Sequence, residues 1–231
     1  VLYTYSSLAR NLPEGNLLPE DDFLPLSKDL SFQGRRVLAP KGGITVQINA
    51  FNFPVWGLLE KFAPAFLAGV PTLAKPATPT AHVAEALVRT MLESGLLPEG
   101  SLQLLVGSVG DLFDALDHRD SVFFTGSKAT ADRLRRHPAF LERGALFNAE
   151  ADSLNPAILG AKATEEELSR LAQEIAQELV IKTGQRCTAI RRVFAPKDRL
   201  EALLKATQKR LVALWLGDPR EEGVDLGPLA S

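Results

Sequence analysis

From Arg36 to Phe147 the chain alternates short, β-branched apolar runs with longer amphipathic ones, and that alternation restricts it to one class of fold. Gly43-Ile-Thr-Val-Gln-Ile-Asn49 is short, apolar and β-branched, as a buried strand is. Pro54 then opens an apolar helix over residues 55–68 with Gly69 as its stop, and Pro64 inside it is expected to kink or split it. Pro71-Thr-Leu-Ala-Lys75 predicts a second strand, and Thr80 is a candidate cap for a helix over 81–94. Val83, Leu87, Val88, Met91 and Leu92 share one face of that helix. Leu102-Gln-Leu-Leu-Val106 is a third strand, stopped by Gly107 and followed by a short helix over 109–116. Ser121-Val-Phe-Phe124 is a fourth, Ser127 caps a helix over 128–136, and Ala145-Leu-Phe147 starts a fifth strand. Thr164-Glu-Glu-Glu167 has the form of a capping box opening a helix through Leu168, Leu171, Ile175 and Leu179 that stops near Gly184. A strand over 190–195 and an amphipathic helix over 200–216 complete the pattern.

Strands alternating with helices predict an α/β fold with a mainly parallel sheet covered on both faces. Such sheets bind ligands beyond the carboxyl ends of their strands, here residues 49–53, 75–80, 107–110 and 125–127. None of these reads Gly-x-Gly-x-x-Gly. Residues 1–35, punctuated by Leu12-Pro13, Leu18-Pro19 and Leu24-Pro25, read as an extended lead-in. The start without Met and the end at Ser231 read as a piece of a longer protein.

Composition removes several functions. A net charge of −2 gives no electrostatic footprint for nucleic acid or an anionic membrane, and no apolar run is long enough to span a bilayer. One cysteine cannot form an internal disulfide, which fits a reducing cytoplasm. His82, His118 and His137 share no metal-ligand spacing with each other or with the cysteine, so no metal is predicted.

The candidate chemistry gathers around that cysteine, in Lys182-Thr-Gly-Gln-Arg-Cys187-Thr. A lone cysteine is commonly a small buried hydrophobe. Near a helix end, with Arg186, Arg191 and Arg192 beside it, Cys187 is also a candidate nucleophile. Glu150, where the fifth strand gives way to a loop, is a candidate general base, and alternation leaves Asp152 as its competitor. Asn52, in Phe51-Asn-Phe-Pro54, is either a helix cap or an amide donor to an oxyanion. Lys75 is either a solvated lysine or a contact to phosphate or ribose, and Thr125-Gly-Ser127 can present backbone N–H groups to a phosphate.

Five segments in order resemble the aldehyde dehydrogenase superfamily: Ile48-Asn-Ala-Phe-Asn52-Phe-Pro, Leu73-Ala-Lys75-Pro-Ala, Phe124-Thr-Gly126-Ser127, Glu150 followed by Asn155-Pro156, and Gly184-Gln-Arg-Cys187. Glu150-Ala-Asp-Ser-Leu-Asn155 and Gly184-Gln-Arg-Cys-Thr-Ala-Ile-Arg-Arg192 look like the phenylacetate-catabolism branch (the PaaZ type), whose dehydrogenase is fused to a ring-opening hydratase domain. The resemblance implies a Rossmann-like dinucleotide-binding domain over 36–155 and the beginning of a catalytic domain over 156–231.

It further implies that Cys187 attacks the aldehyde carbon, that Asn52 and the Cys187 N–H hold the oxyanion, and that Glu150 activates water to hydrolyse the thioester. Lys75 would reach the adenosine ribose and Gly126-Ser127 the pyrophosphate, with Ile48, Ala50, Phe51, Thr78 and Thr125 lining the same cofactor site. Relatives that prefer NAD often carry Glu at the position of Thr78; a neutral hydroxyl does not repel a 2′-phosphate, so NADP is expected, with NAD possible. The implied substrate is a small-molecule aldehyde, and the implied whole protein is a homo-oligomer. Two rival functions are a CoA-acylating aldehyde dehydrogenase, against which a water-activating Glu150 argues, and an inactive nucleotide-binding fragment.

Overall fold

A computed structural model describes residues 1–13, 15 and 17–230; positions 14 and 16, in the expected lead-in, and 231, in the expected start of a catalytic domain, lie outside it. The chain forms two compact units, Val1–Ala151 and Asp152–Ser231.

The first unit opens with helix α1 (Leu2–Ala9) and an antiparallel ribbon of β1 (Leu18–Pro25) and β2 (Gln33–Leu38). The extended lead-in expected over 1–35 is thus partly helix and partly ribbon. Pro19 and Pro25 are compatible with a two-stranded ribbon because each strand has a free edge where a missing N–H costs nothing. Arg35 fastens the ribbon: its Nε donates to the Glu20 carbonyl and its guanidinium lies 5.3 Å from the Phe23 ring centre.

The alternating segment builds the predicted sheet. Strands β3 (Thr45–Ile48), β4 (Thr72–Lys75), β5 (Leu102–Leu104), β6 (Ser121–Gly126) and β7 (Leu146–Ala151) form a five-stranded sheet in the order β5-β4-β3-β6-β7, with every neighbouring pair parallel. Helices α2 (Trp56–Leu67) and α3 (Ala81–Glu93) cover one face, where Leu58, Phe62, Ala74, Val88 and Leu102 are buried together. On the other, α4 (Lys128–Arg135), α5 (Pro138–Leu141) and a 3-10 turn at Leu112–Ala115 enclose Val46, Phe113, Leu116, Val122 and Ala139. Residues 109–116, expected to be a short helix, contribute only that turn. Leu92 of the predicted apolar face of α3 remains exposed.

Pro64 does not split α2, which runs unbroken from Trp56 to Leu67. The turn before it is braced from the sheet. The fully buried Gln47 donates to the Leu58 carbonyl (3.2 Å) and accepts from the Phe62 N–H (3.0 Å), satisfying an amide that would otherwise be costly in a core. Gly69 ends the helix with φ +71°, as its position predicts.

At the amino edge of the sheet, Asp120 organises the loops by accepting from the Ile44 N–H (2.8 Å) and the Asp117 N–H (2.9 Å). Gly43 lies against it with φ +70°, and a Cβ there would sit 2.5 Å from the Arg119 carbonyl oxygen and 2.6 Å from Asp120 Oδ1. Gly43→Ala is expected to cost about 2–4 kcal/mol, combining left-handed backbone strain with a clash against main chain. Urea unfolding of the variant measures this, and a cost below about 1 kcal/mol would show that the loop yields freely.

The second unit has its own core of Leu159, Leu168, Ala172, Ile175 and Leu203. It pairs β8 (Asn155–Ile158) in parallel with β9 (Ile190–Phe194) and packs α6 (Glu165–Val180) and α7 (Leu200–Val212). The Thr164 hydroxyl accepts from the Glu167 N–H while the Glu167 carboxylate accepts from the Thr164 N–H at 2.7 Å, which completes the predicted capping box. The boundary falls at Ala151/Asp152 rather than after Asn155, because Asn155 already belongs to β8 of the second unit.

Candidate active site

In the first unit the candidate residues collect at the carboxyl edge of the sheet. Parallel register puts Ile48 of β3 beside Lys75 of β4 and Phe124 of β6, and it sets Thr125 of β6 beside Glu150 of β7. The loop after β3 carries Ala50, Phe51 and Asn52, all half-buried. Asn52 is not the cap of α2; that position is Val55, which makes no side-chain cap bond. Thr80 does not cap α3 either. Its hydroxyl donates to the Phe51 carbonyl (3.0 Å), a tertiary bond that ties the turn after β4 to the loop after β3. The same two edges are joined by the Asn49 N–H donating to the Lys75 carbonyl at 3.0 Å.

Lys75 is the last residue of β4, half-buried, with Nζ 3.2 Å from the Pro76 carbonyl. Thr78 is exposed and starts the 3-10 turn Thr78–Thr80. Ser127 caps α4: its hydroxyl accepts from the Thr130 N–H (3.3 Å) and donates to Thr130 Oγ1 (3.0 Å). With that hydroxyl engaged, the backbone N–H groups at the start of α4 are what this turn can offer a ligand. Gly126 before it has no room for a side chain, since a Cβ would meet Cζ of the buried Phe124 at 2.5 Å. A bare backbone turn at a helix N-terminus, beyond a parallel strand, suits a dinucleotide phosphate. Beside it the Thr125 hydroxyl and the Asn49 amide are buried without hydrogen-bond partners, polar groups that the protein interior itself leaves unsatisfied.

Glu150 is exposed near the end of β7. Asp152 is not its equivalent: the strand stops at Ala151 and Asp152 adopts φ +50°, so strand alternation no longer governs its direction.

Cys187 belongs to the second unit, in the loop between α6 and β9, and it is exposed. The buried-hydrophobe reading is therefore overturned. The backbone around the thiol is held from several sides. Ser153 Oγ and Asn155 Nδ2 both donate to the Cys187 carbonyl, and Asn155 also donates to the Ala189 carbonyl at 3.3 Å. Two of the three arginines near the cysteine are committed to structure. Arg186 pairs with Glu178 of α6 through contacts of 2.5 and 2.6 Å, and Arg191 donates to the carbonyls of Gly184 (2.8 Å) and Arg186 (3.3 Å). Sequence reasoning attached no individual role to Ser153 or Glu178; Arg191 entered only as a positive charge near Cys187, and Asn155 only as part of a matched Asn-Pro pair.

No helix among the described residues is long and apolar enough to cross a membrane. Comparison with known proteins identifies the architecture. The aldehyde dehydrogenase family model matches residues 4–231. The chain is 46% identical over 230 residues to the 3,4-dehydroadipyl-CoA semialdehyde dehydrogenase of Aromatoleum evansii, covering 99% of this chain and 45% of that protein. Among solved structures it resembles the betaine aldehyde dehydrogenase of Staphylococcus aureus in complex with NAD+, with a TM-score of 0.80 at 21% identity over 99% of this chain and 43% of that one. It also resembles a 3,6-anhydro-L-galactose dehydrogenase in complex with NADP, with a TM-score of 0.78 at 22% identity over 100% of this chain and 46% of that one. The chain thus spans a little under half the length of these proteins, and it belongs to the aldehyde dehydrogenase family.

Proposed function

We propose that this chain supplies the cofactor-binding domain and the nucleophile-bearing start of the catalytic domain of an aldehyde dehydrogenase that oxidises a semialdehyde to a carboxylic acid. The observation that carries the reading is an exposed Cys187 on a backbone held by side chains from neighbouring elements. A CoA-linked semialdehyde from aromatic degradation is the substrate class favoured by the similarity to the Aromatoleum evansii protein.

In this reading the Cys187 thiolate adds to the aldehyde carbon, and the amide of Asn52 with the N–H of Cys187 takes the charge that develops on oxygen. A bound nicotinamide cofactor supplies the two-electron acceptor. The product on the protein is a thioester at Cys187, and Glu150 removes a proton from the water that hydrolyses it. Lys75 holds the adenosine ribose, the amides following Gly126 hold the pyrophosphate, and Ile48, Ala50, Phe51 and Thr125 line the rest of the cofactor cleft. Thr78, exposed and neutral at the ribose end, admits a 2′-phosphate, which favours NADP over NAD. A homo-oligomer of the whole protein is part of the same reading.

Steady-state assays of the whole protein with semialdehydes, NADP or NAD, and free CoA test this proposal. The expected outcome is a carboxylic acid product, a lower KM for NADP than for NAD, and no consumption of free CoA. Stoichiometric consumption of free CoA would replace hydrolysis by acylation, and a lower KM for NAD would overturn the role given to Thr78.

A further inference from the structure

The loop that presents Cys187 is strained and tethered. Lys182 and Thr183 both adopt left-handed backbone angles (φ 53° and 54°), and Gly184 continues the run at φ +69°. Two consecutive non-glycine residues in that region, one of them β-branched, persist only where surrounding contacts over-determine them. The contacts are present. Thr183 Oγ1 donates to the Gly227 carbonyl (3.3 Å), the Ala230 N–H donates to Gln185 Oε1 (3.1 Å), and Arg191 takes the Gly184 carbonyl (2.8 Å).

The Arg186–Glu178 pair is the strongest of these tethers. It is a charge-assisted contact from one guanidinium nitrogen to both carboxylate oxygens, at 2.6 and 2.5 Å, with side chains only 18% and 25% exposed. It fastens the residue immediately before the cysteine to the last turns of α6. Arg191 holds the next link, donating to the Arg186 carbonyl at 3.3 Å. That carbonyl shares a peptide unit with the Cys187 N–H. The unit is trans, as is every peptide among the described residues, so the two bonds point in opposite directions. Fixing the Arg186 carbonyl therefore aims the Cys187 N–H, and fixing the Cys187 carbonyl through Ser153 and Asn155 locks the other side.

We propose that Glu178 and Arg186 are positioning residues for the oxidation: through the loop backbone they aim the Cys187 N–H at the oxygen that becomes negatively charged. The inference rests on Cys187 being the nucleophile. A guanidinium that faces a carboxylate is not replaceable by an ammonium of the same charge, because lysine is a point charge on a flexible stem. Neither residue touches substrate; both act through the geometry of one peptide.

The test uses the whole protein with Arg186→Lys, Glu178→Gln and the double variant. Each single variant is expected to lose about 10–100-fold in kcat, as misplacement of a catalytic group by a fraction of an ångström to an ångström does, while KM for the cofactor stays within about twofold. The double variant is expected to be no worse than the poorer single one, because the two side chains form one unit. Amide hydrogen exchange over residues 181–189, which needs no turnover, is expected to accelerate at least about tenfold in every variant. Wild-type kcat in Arg186→Lys, losses that multiply in the double variant, or unchanged exchange would each overturn the proposal. Should Arg186→Lys fail to fold, the Glu178→Gln variant, nearly isosteric, answers the same questions alone. Full activity in Cys187→Ser would instead overturn the function on which the proposal rests, leaving the exchange result to stand on its own.

Discussion

Cys187→Ser in the whole protein is expected to lower kcat by roughly 10⁴-fold or more, since a serine hydroxyl at neutral pH has almost none of the nucleophilicity of a thiolate. The substitution changes one atom at an exposed position, so its effect on stability is expected to stay within about 0.5 kcal/mol. That combination separates chemistry from folding: the thermal midpoint should not move while turnover disappears. Alkylation by iodoacetamide gives the complementary measurement. Cys187 is the single cysteine of these 231 residues, and digestion should show turnover falling in proportion to the label found on it. Activity of the serine variant within about tenfold of wild type would remove Cys187 from the mechanism.

The parts of the molecule legible in the sequence are those in which one physical signal decides the outcome. Thr45–Ile48 is the central strand of a parallel sheet, buried on both faces, and its neighbour Ser121–Gly126 buries Val122 and Phe124, so both read as short apolar runs. The capping box at Thr164 is local and forms as its residues predict. The ribbon of β1 and β2 was not legible, because its residues are largely exposed and carry no alternation toward a core. Strand β8 was missed because Pro156 sits inside four residues, and it is stabilised by a partner far along the chain. Thr80 shows how a local rule loses to a tertiary one: a hydroxyl placed to cap a helix found the Phe51 carbonyl instead.

At the candidate site the same division holds. The reactive residue types could be read from motifs in order, whereas the exposure of Cys187 and the pairing of Arg186 with Glu178 depend on how a left-handed turn folds the loop back on α6. Asp152 was a competitor to Glu150 only while strand alternation was assumed to continue through it. Its φ of +50°, just past the end of β7, breaks that assumption and leaves Glu150 as the better base candidate.

Glu150→Gln provides the second large effect and the sharpest division of the reaction. Glutamine keeps the size and the hydrogen-bonding reach of the side chain but cannot take a proton from water, so only the step that needs a base should suffer. Steady-state turnover is expected to fall by about 10²–10⁴-fold, the range over which positioned general bases act. The first turnover should survive, because thiolate attack and oxidation are complete, with the acyl group still on Cys187, before water is required. Rapid mixing of the variant with aldehyde and oxidised cofactor should therefore show a burst of reduced cofactor equal to the enzyme present, followed by near-arrest. Intact-mass measurement of the arrested protein should find the acyl group, and digestion should place it on Cys187. Asp152→Asn serves as the matched control and should retain turnover within about threefold, since that residue has left the strand register that sets Glu150 beside Thr125. Loss of the burst together with the steady state would move Glu150 to the first half of the reaction, and a larger loss in Asp152→Asn than in Glu150→Gln would transfer the role of base to Asp152.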